Sequence, residues 1–176
     1  FALLTAAAGG CATQSGPPAA AAAAADYGVL VMAHGGSRRW DETVLKAVEP
    51  LRAEFPVEVA FGMADATSLQ EGVASLEARG VRRIGVVRLF VSGESFLDST
   101  EQILGVRAGA PPKPTAAAHE HGDHAGHEMA FWKIDTAAQF ALSMQGLNQA
   151  PEMGAILLDR ARSLSISILI VPRVAP

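Results

Sequence analysis

The sequence predicts an α/β fold: a parallel sheet with helices on both faces, built around a βαβαβ core. Two observations carry this expectation. Tyr27–Ala33 (YGVLVMA) is a continuous apolar run with the length and β-former content of a strand covered on both sides, and Val57–Phe61 (VEVAF) and Ile84–Val91 (IGVVRLFV) are the second and third strand candidates. Between them lie stretches with helical apolar spacing, and parallel neighbours need such crossovers.

The elements follow in order. After the first strand, His34-Gly35-Gly36-Ser37 breaks the run, and from Asp41 a helix is expected, with Val44, Leu45, Val48, Leu51 and Phe55 on one face. Pro50 should kink or shorten it, because proline lacks the N–H that the helix ladder needs. Beyond the second strand, Ser68 and Glu71 have capping-box spacing, with Leu69, Val73 and Leu76 as the apolar stripe and Gly80 as a left-handed stop. The third strand runs into the loop Ser92-Gly93-Glu94-Ser95, after which Asp98, Ser99 and Thr100 offer helix caps. Pro111, Pro112 and Pro114 mark an exposed loop. A helix is expected from Thr136 with Phe140, Leu142 and Met144, and another from Pro151 with Met153, Ile156, Leu157 and Leu164. Ile166–Val171 (ISILIV) reads as a last strand. The organisation is therefore a leader and Ala-rich tether over 1–25, an α/β unit over 26–105, a histidine-rich loop over 106–130, and over 131–176 connecting helices and the start of a second unit.

Composition narrows the function. The 176 residues are 49% hydrophobic and 18% charged, enough for a sizeable core and too apolar for a disordered acidic chain. A net charge of −4 argues against a general nucleic-acid binder. No apolar run reaches the roughly 18 residues of a membrane span. The one cysteine, Cys11, excludes an intrachain disulfide framework and a cysteine-cluster zinc site. Cys11 follows small residues in a pattern similar to the end of a bacterial lipoprotein signal, and 12–25 reads as a tether. This points to an exported, periplasmic lipoprotein with a membrane tether through Cys11; the alternative is an Ala-rich start on a cytoplasmic protein.

In parallel sheets ligands bind beyond the carboxyl ends of the strands, where both His34 and the Ser92–Ser95 loop are expected. The N–H groups of Gly35, Gly36 and Ser37 at a helix start could receive a carboxylate or phosphate, with Arg38 and Arg39 adding charge-assisted bonds. His34 could bind a divalent metal or accept a proton; the plainer reading is a tight turn with a surface histidine. Glu94 could place a carboxylate opposite His34, or simply stand in water. His119, His121, His124 and His127, among Glu120, Asp123 and Glu128, form a tract whose imidazoles suit transition metals; the plainer reading is a solvated polar loop. No nucleophile triad, GxGxxG or P-loop occurs, the histidine lacks the preceding arginine of histidine phosphatases, and no organic cofactor is evident.

The combination LVMAHGGSRRWDETV, a middle helix ending in ARG, and RRIGVVRLFVSGESF resembles the sirohydrochlorin cobaltochelatase/ferrochelatase family over about Gly28 to Gly105. NQAPEMGAILLDRARSLS is similar to the connecting region of its two-unit members, and ILIVPRVAP to the opening strand of a second unit, with Pro172-Arg173 where an Ala-His pair is expected. The resemblance implies a chelatase-like α/β sheet and insertion of a divalent transition metal (Co²⁺, Fe²⁺ or Ni²⁺ as substrate or ligand) into a tetrapyrrole, sirohydrochlorin. It maps a family histidine onto His34. A second family histidine, expected in the loop after the third strand, aligns with Ser95, and Glu94 stands beside it as a carboxylate substitute. Gly35, Gly36, Ser37, Arg38 and Arg39 would receive the macrocycle's acid groups. Another reading of the same residues is a non-enzymatic exported metal- or tetrapyrrole-binding protein on a degenerate chelatase scaffold. A homo-oligomer is compatible with either.

Overall fold

A computed structural model describes residues 26–115 and 129–170. Its elements run β1 (Tyr27–Ala33), α1 (Arg38–Arg52), β2 (Val57–Phe61), α2 (Ala66–Ala78), β3 (Arg83–Leu89), α3 (Leu97–Ile103), β4 (Gln139–Leu142), a 3-10 turn (Leu147–Gln149) and α4 (Pro151–Ile170). The four strands form one sheet in the order β2-β1-β3-β4, and each neighbouring pair is parallel. This is the α/β architecture that the sequence predicts.

Register sorts the side chains to the two faces. Val31 stands opposite Val59 on one side and Val87 on the other. Val29, Val31 and Ala33 pack with Val44 and Val48 of α1. Leu30 and Met32 turn the other way and pack with Leu69, Val73 and Leu76 of α2 and Ile103 of α3. Burying each such aliphatic side chain stabilises the fold by about 1.5–3 kcal/mol, so both helical layers hold the sheet. The connection from β1 runs to β2 on one side, and that from β2 crosses back to β3 on the other. Right-handed crossovers in opposite directions place α1 and α2 on opposite faces. The same reversal opens a crevice between the carboxyl ends of β1 and β3.

Two glycines are required by close approach. A Cβ on Gly85 would collide with the Tyr27 hydroxyl, whose ring crosses β3 at that point. Gly93 and Gly146 pack backbone against backbone, leaving no room for a side chain at either.

Several expected boundaries move. α1 begins at Arg38, not Asp41, because Ser37 caps it: the Ser37 hydroxyl accepts from Trp40 N at 3.4 Å. Pro50 lies in the last turn, so the ladder hydrogen bond it forfeits falls at the end of the helix and the helix stops two residues later, and Phe55 falls outside the helix with its ring edge-on to Tyr27 at 5.6 Å. Asp65, not Ser68, caps α2, since its carboxylate accepts from Ser68 N at 2.9 Å. The α3 cap is Phe96 in a left-handed conformation (φ 55°), and the Thr100 hydroxyl instead donates back to Phe96 O at 2.6 Å.

Two expectations are overturned. The stretch from Thr136 is a strand, not a helix: Gln139–Leu142 pairs with β3, and Phe140 and Leu142 alternate inward against the α2–α3 core. Its Ala, Gln, Leu and Met favour helix locally, but pairing with an open edge of β3 prevails. The last apolar run, Ile166–Val171, is not a strand over its described part, because α4 continues through Ile170. A short run of Ile, Ser and Leu suits either state until a neighbouring strand is present to pair with it. Among the described residues no helix is long and apolar enough to cross a membrane.

Candidate functional site

β1 delivers the chain from a fully covered core to the surface in one step: Ala33 is 1% exposed and His34 is exposed. The His34 imidazole is held by its own turn, with Nδ1 2.9 Å from the Gly35 carbonyl oxygen. A carbonyl only accepts, so this contact puts the proton on Nδ1 and leaves the Nε2 lone pair free to take a proton or a metal ion.

The helix start after His34 is already partly occupied from within. Gly36 N donates to Asp41 Oδ1 at 3.2 Å, so one of the three expected anion-binding donors is engaged. Arg38 and Arg39 are exposed in the first turn of α1. Cations there oppose the helix dipole, and Asp41 offsets them in part.

A cleft of about 400 Å³ opens between the ends of β1 and β3, lined by His34, Trp40, Thr43, Val44, Ala47, Leu89, Phe90, Val91 and Leu147. Its walls are mostly apolar, with His34 as the one titratable group. Trp40, Val44 and Val48 lie on one stripe of α1. Val44 and Val48 reach the sheet and are buried, whereas Trp40 overhangs its carboxyl edge at 50% exposure. The indole Nε1 donates to the His34 carbonyl at 2.7 Å, which ties this wall to the histidine turn.

The third-strand loop is fixed by Arg88. This side chain is buried, and its guanidinium donates to the carbonyls of Gly93 (2.7 Å), Ser143 (3.2 Å) and Ser95. The Arg88 backbone N–H donates to Ser143 Oγ at 2.9 Å. Burial pulls the guanidinium below the usual arginine range, and the charge of Glu101 opposes this. Leu147 N and Asn148 N donate to the carbonyls of Phe90 and Val91, so the segment after β4 closes the far end of the cleft.

The structure thus brings His34 to the cleft and sets Arg38 and Arg39 in the same turn. Glu94 and Ser95 stand at the same sheet edge, after β3, but do not line the cleft. Glu94 is exposed, with its N–H donating to Ser92 Oγ at 3.2 Å; Ser95 is half-buried, and its carbonyl is taken by Arg88. His119, His121, His124, His127 and Cys11 lie outside the described residues. Among the described residues no cluster of three metal-ligating side chains occurs.

Sequence reasoning passed over Trp40, Phe90, Val91, Leu147 and Arg88. The Trp40 signal was available, since it stands four residues before Val44 on the core stripe and so extends that stripe beyond the sheet. Arg88 carried the opposite signal, a charge inside an apolar strand.

A family model described as CbiX matches residues 28–163 of this chain. No curated protein matches it.

Proposed function

The chain belongs to the CbiX family of tetrapyrrole metal chelatase-like proteins, and on that premise we propose that it inserts Co²⁺ or Fe²⁺ into sirohydrochlorin at the cleft between β1 and β3. The observation that carries this reading is an exposed imidazole at the mouth of an apolar cleft at the sheet's topological switch point.

Metal insertion has three demands: the ion must shed water, the flat ring must bend, and two pyrrole N–H protons must leave as the metal–nitrogen bonds form. His34 answers the last directly. With its proton on Nδ1, it offers Nε2 to a pyrrole proton and, being exposed, can release that proton to solvent before taking the second. The same lone pair can hold the incoming ion before transfer. The apolar walls receive the ring, and Arg38 and Arg39 receive its acid arms. The His119–His127 tract raises the local concentration of the metal substrate, and Cys11 tethers an exported form to a membrane.

The test is the absorbance change of the macrocycle on metal insertion, comparing wild type, His34→Ala and the uncatalysed control. His34→Ala should lose most of the acceleration, because His34 is the only histidine among the described residues. Wild type no faster than the control, with folding intact, would overturn the enzymatic reading.

A further inference from the structure

We propose that Trp40 is the aromatic wall against which the macrocycle lies, and therefore a substrate-contacting residue. This rests on the reading of the cleft as a macrocycle site and adds to it a residue that selects for a flat conjugated ring.

Three observations carry it. First, Trp40 is placed where a core residue would be wasted. It continues the Val44–Val48 stripe past the end of the sheet, so half of its surface is open, and it faces the cleft rather than a layer of the fold. Second, the indole is held in position. Nε1 donates to His34 O at 2.7 Å, and the ring folds over Gly36, where an added Cβ would stand 3.1 Å from Trp40 Cδ1. A half-exposed aromatic fixed in this way loses little further freedom when a ligand covers it. Third, the surrounding surface is apolar, with Val44 one turn along the same helix and Leu89, Phe90, Val91 and Leu147 from the other elements that line the cleft. A planar ring stacks favourably on such an aromatic face, whereas an acyclic polyacid of the same charge would gain nothing from it. The hydrogen bond also keeps the wall in register with the histidine whose Nε2 must reach the ring nitrogens.

The experiment uses the whole chain and metal-free sirohydrochlorin as the probe. Binding is read from the macrocycle's absorbance, and Trp40's emission from the difference between wild type and Trp40→Phe, since the chain has two tryptophans, Trp40 and Trp132. Binding should quench the Trp40 emission. Trp40→Ala should weaken binding by about tenfold, as loss of one stacking partner typically does, while Trp40→Phe keeps a ring and should stay within about threefold of wild type. Circular dichroism confirms that each variant is folded. Binding to Trp40→Ala within about twofold of wild type, or a bound macrocycle that leaves Trp40 emission unchanged, overturns the assignment while leaving the chelatase reading in place. Failure of wild type itself to take up the macrocycle removes the chelatase reading, and the wall with it.

Discussion

The guanidinium of Arg88, a side chain only 3% exposed, donates through Nη1 to the carbonyl of Gly93 at 2.7 Å. A cation has thus been buried in the sheet's edge to hold a backbone turn, with further bonds to Ser95 and Ser143. This side chain joins the loop after β3 to the segment after β4, beside the backbone bonds from Leu147 and Asn148 to Phe90 and Val91. The far wall of the cleft depends on both.

Removing that cation should loosen the fold more than an ordinary surface change. Arg88→Met keeps the length and apolar stem of the side chain but leaves buried carbonyls without donors, and should lower stability by about 2–4 kcal/mol. Urea unfolding measures it. A loss below about 0.5 kcal/mol would mean that water replaces the guanidinium at no net cost.

The Gly93–Gly146 contact makes a second prediction. Gly93→Ala and Gly146→Ala each insert a methyl group into a backbone-to-backbone approach, so each should destabilise by about 1–3 kcal/mol. Because both changes separate the same two segments, the double variant should cost less than the sum of the singles. Strict additivity in a double-mutant cycle would show that the glycines act independently.

Asp26 and Arg83 tie the start of β1 to the start of β3, with Arg83 Nη2 2.6 Å from Asp26 Oδ1. The hydrogen bond from Arg83, and then its charge, hold the Asp26 carboxyl below its usual value of 3.8. A lowered carboxyl favours the folded state above the unfolded-state value, and that contribution disappears as pH falls through the lower folded value. Carboxyl NMR should therefore give Asp26 a midpoint below 3.8, and Arg83→Met should raise it toward the ordinary range. A wild-type midpoint at or above the ordinary value would contradict the pairing.

The histidine tract should bind metal without help from the cleft. A peptide spanning Ala118 to Met129 should bind Ni²⁺, Zn²⁺ or Co²⁺ more tightly near about pH 7.5 than near about pH 5, because a protonated imidazole cannot coordinate. Calorimetry that detects no binding, or equal binding at the two pH values, would return the tract to a solvated loop. In the whole chain, deleting it should slow insertion chiefly when metal is scarce.

The strands β1 and β2 were legible to the residue, since continuous β-branched runs bounded by glycine, proline and histidine leave little else to form. His34 was legible for the same reason, as the first polar residue after a buried strand. Less of the cleft was legible. Val91 and Leu147 read as ordinary apolar residues until the fold sets them on either side of one opening. Gly93 reads as a flexible loop residue, and only its contact with Gly146 gives it a packing role.

Apolar periodicity, β-branched runs and the strand–helix alternation determined the α/β class and the edge at which His34 emerges, because local pattern alone decides which short segments can be strands and which faces must be buried. Tertiary structure decided that Gln139–Leu142 is a strand and that Arg88 is a tether. It also decided that Trp40 and Leu147 share a cleft. Each of these depends on a partner some 55 to more than 100 residues away, and a free β3 edge, an unfilled carbonyl or an opposing wall exists only once the sheet has formed.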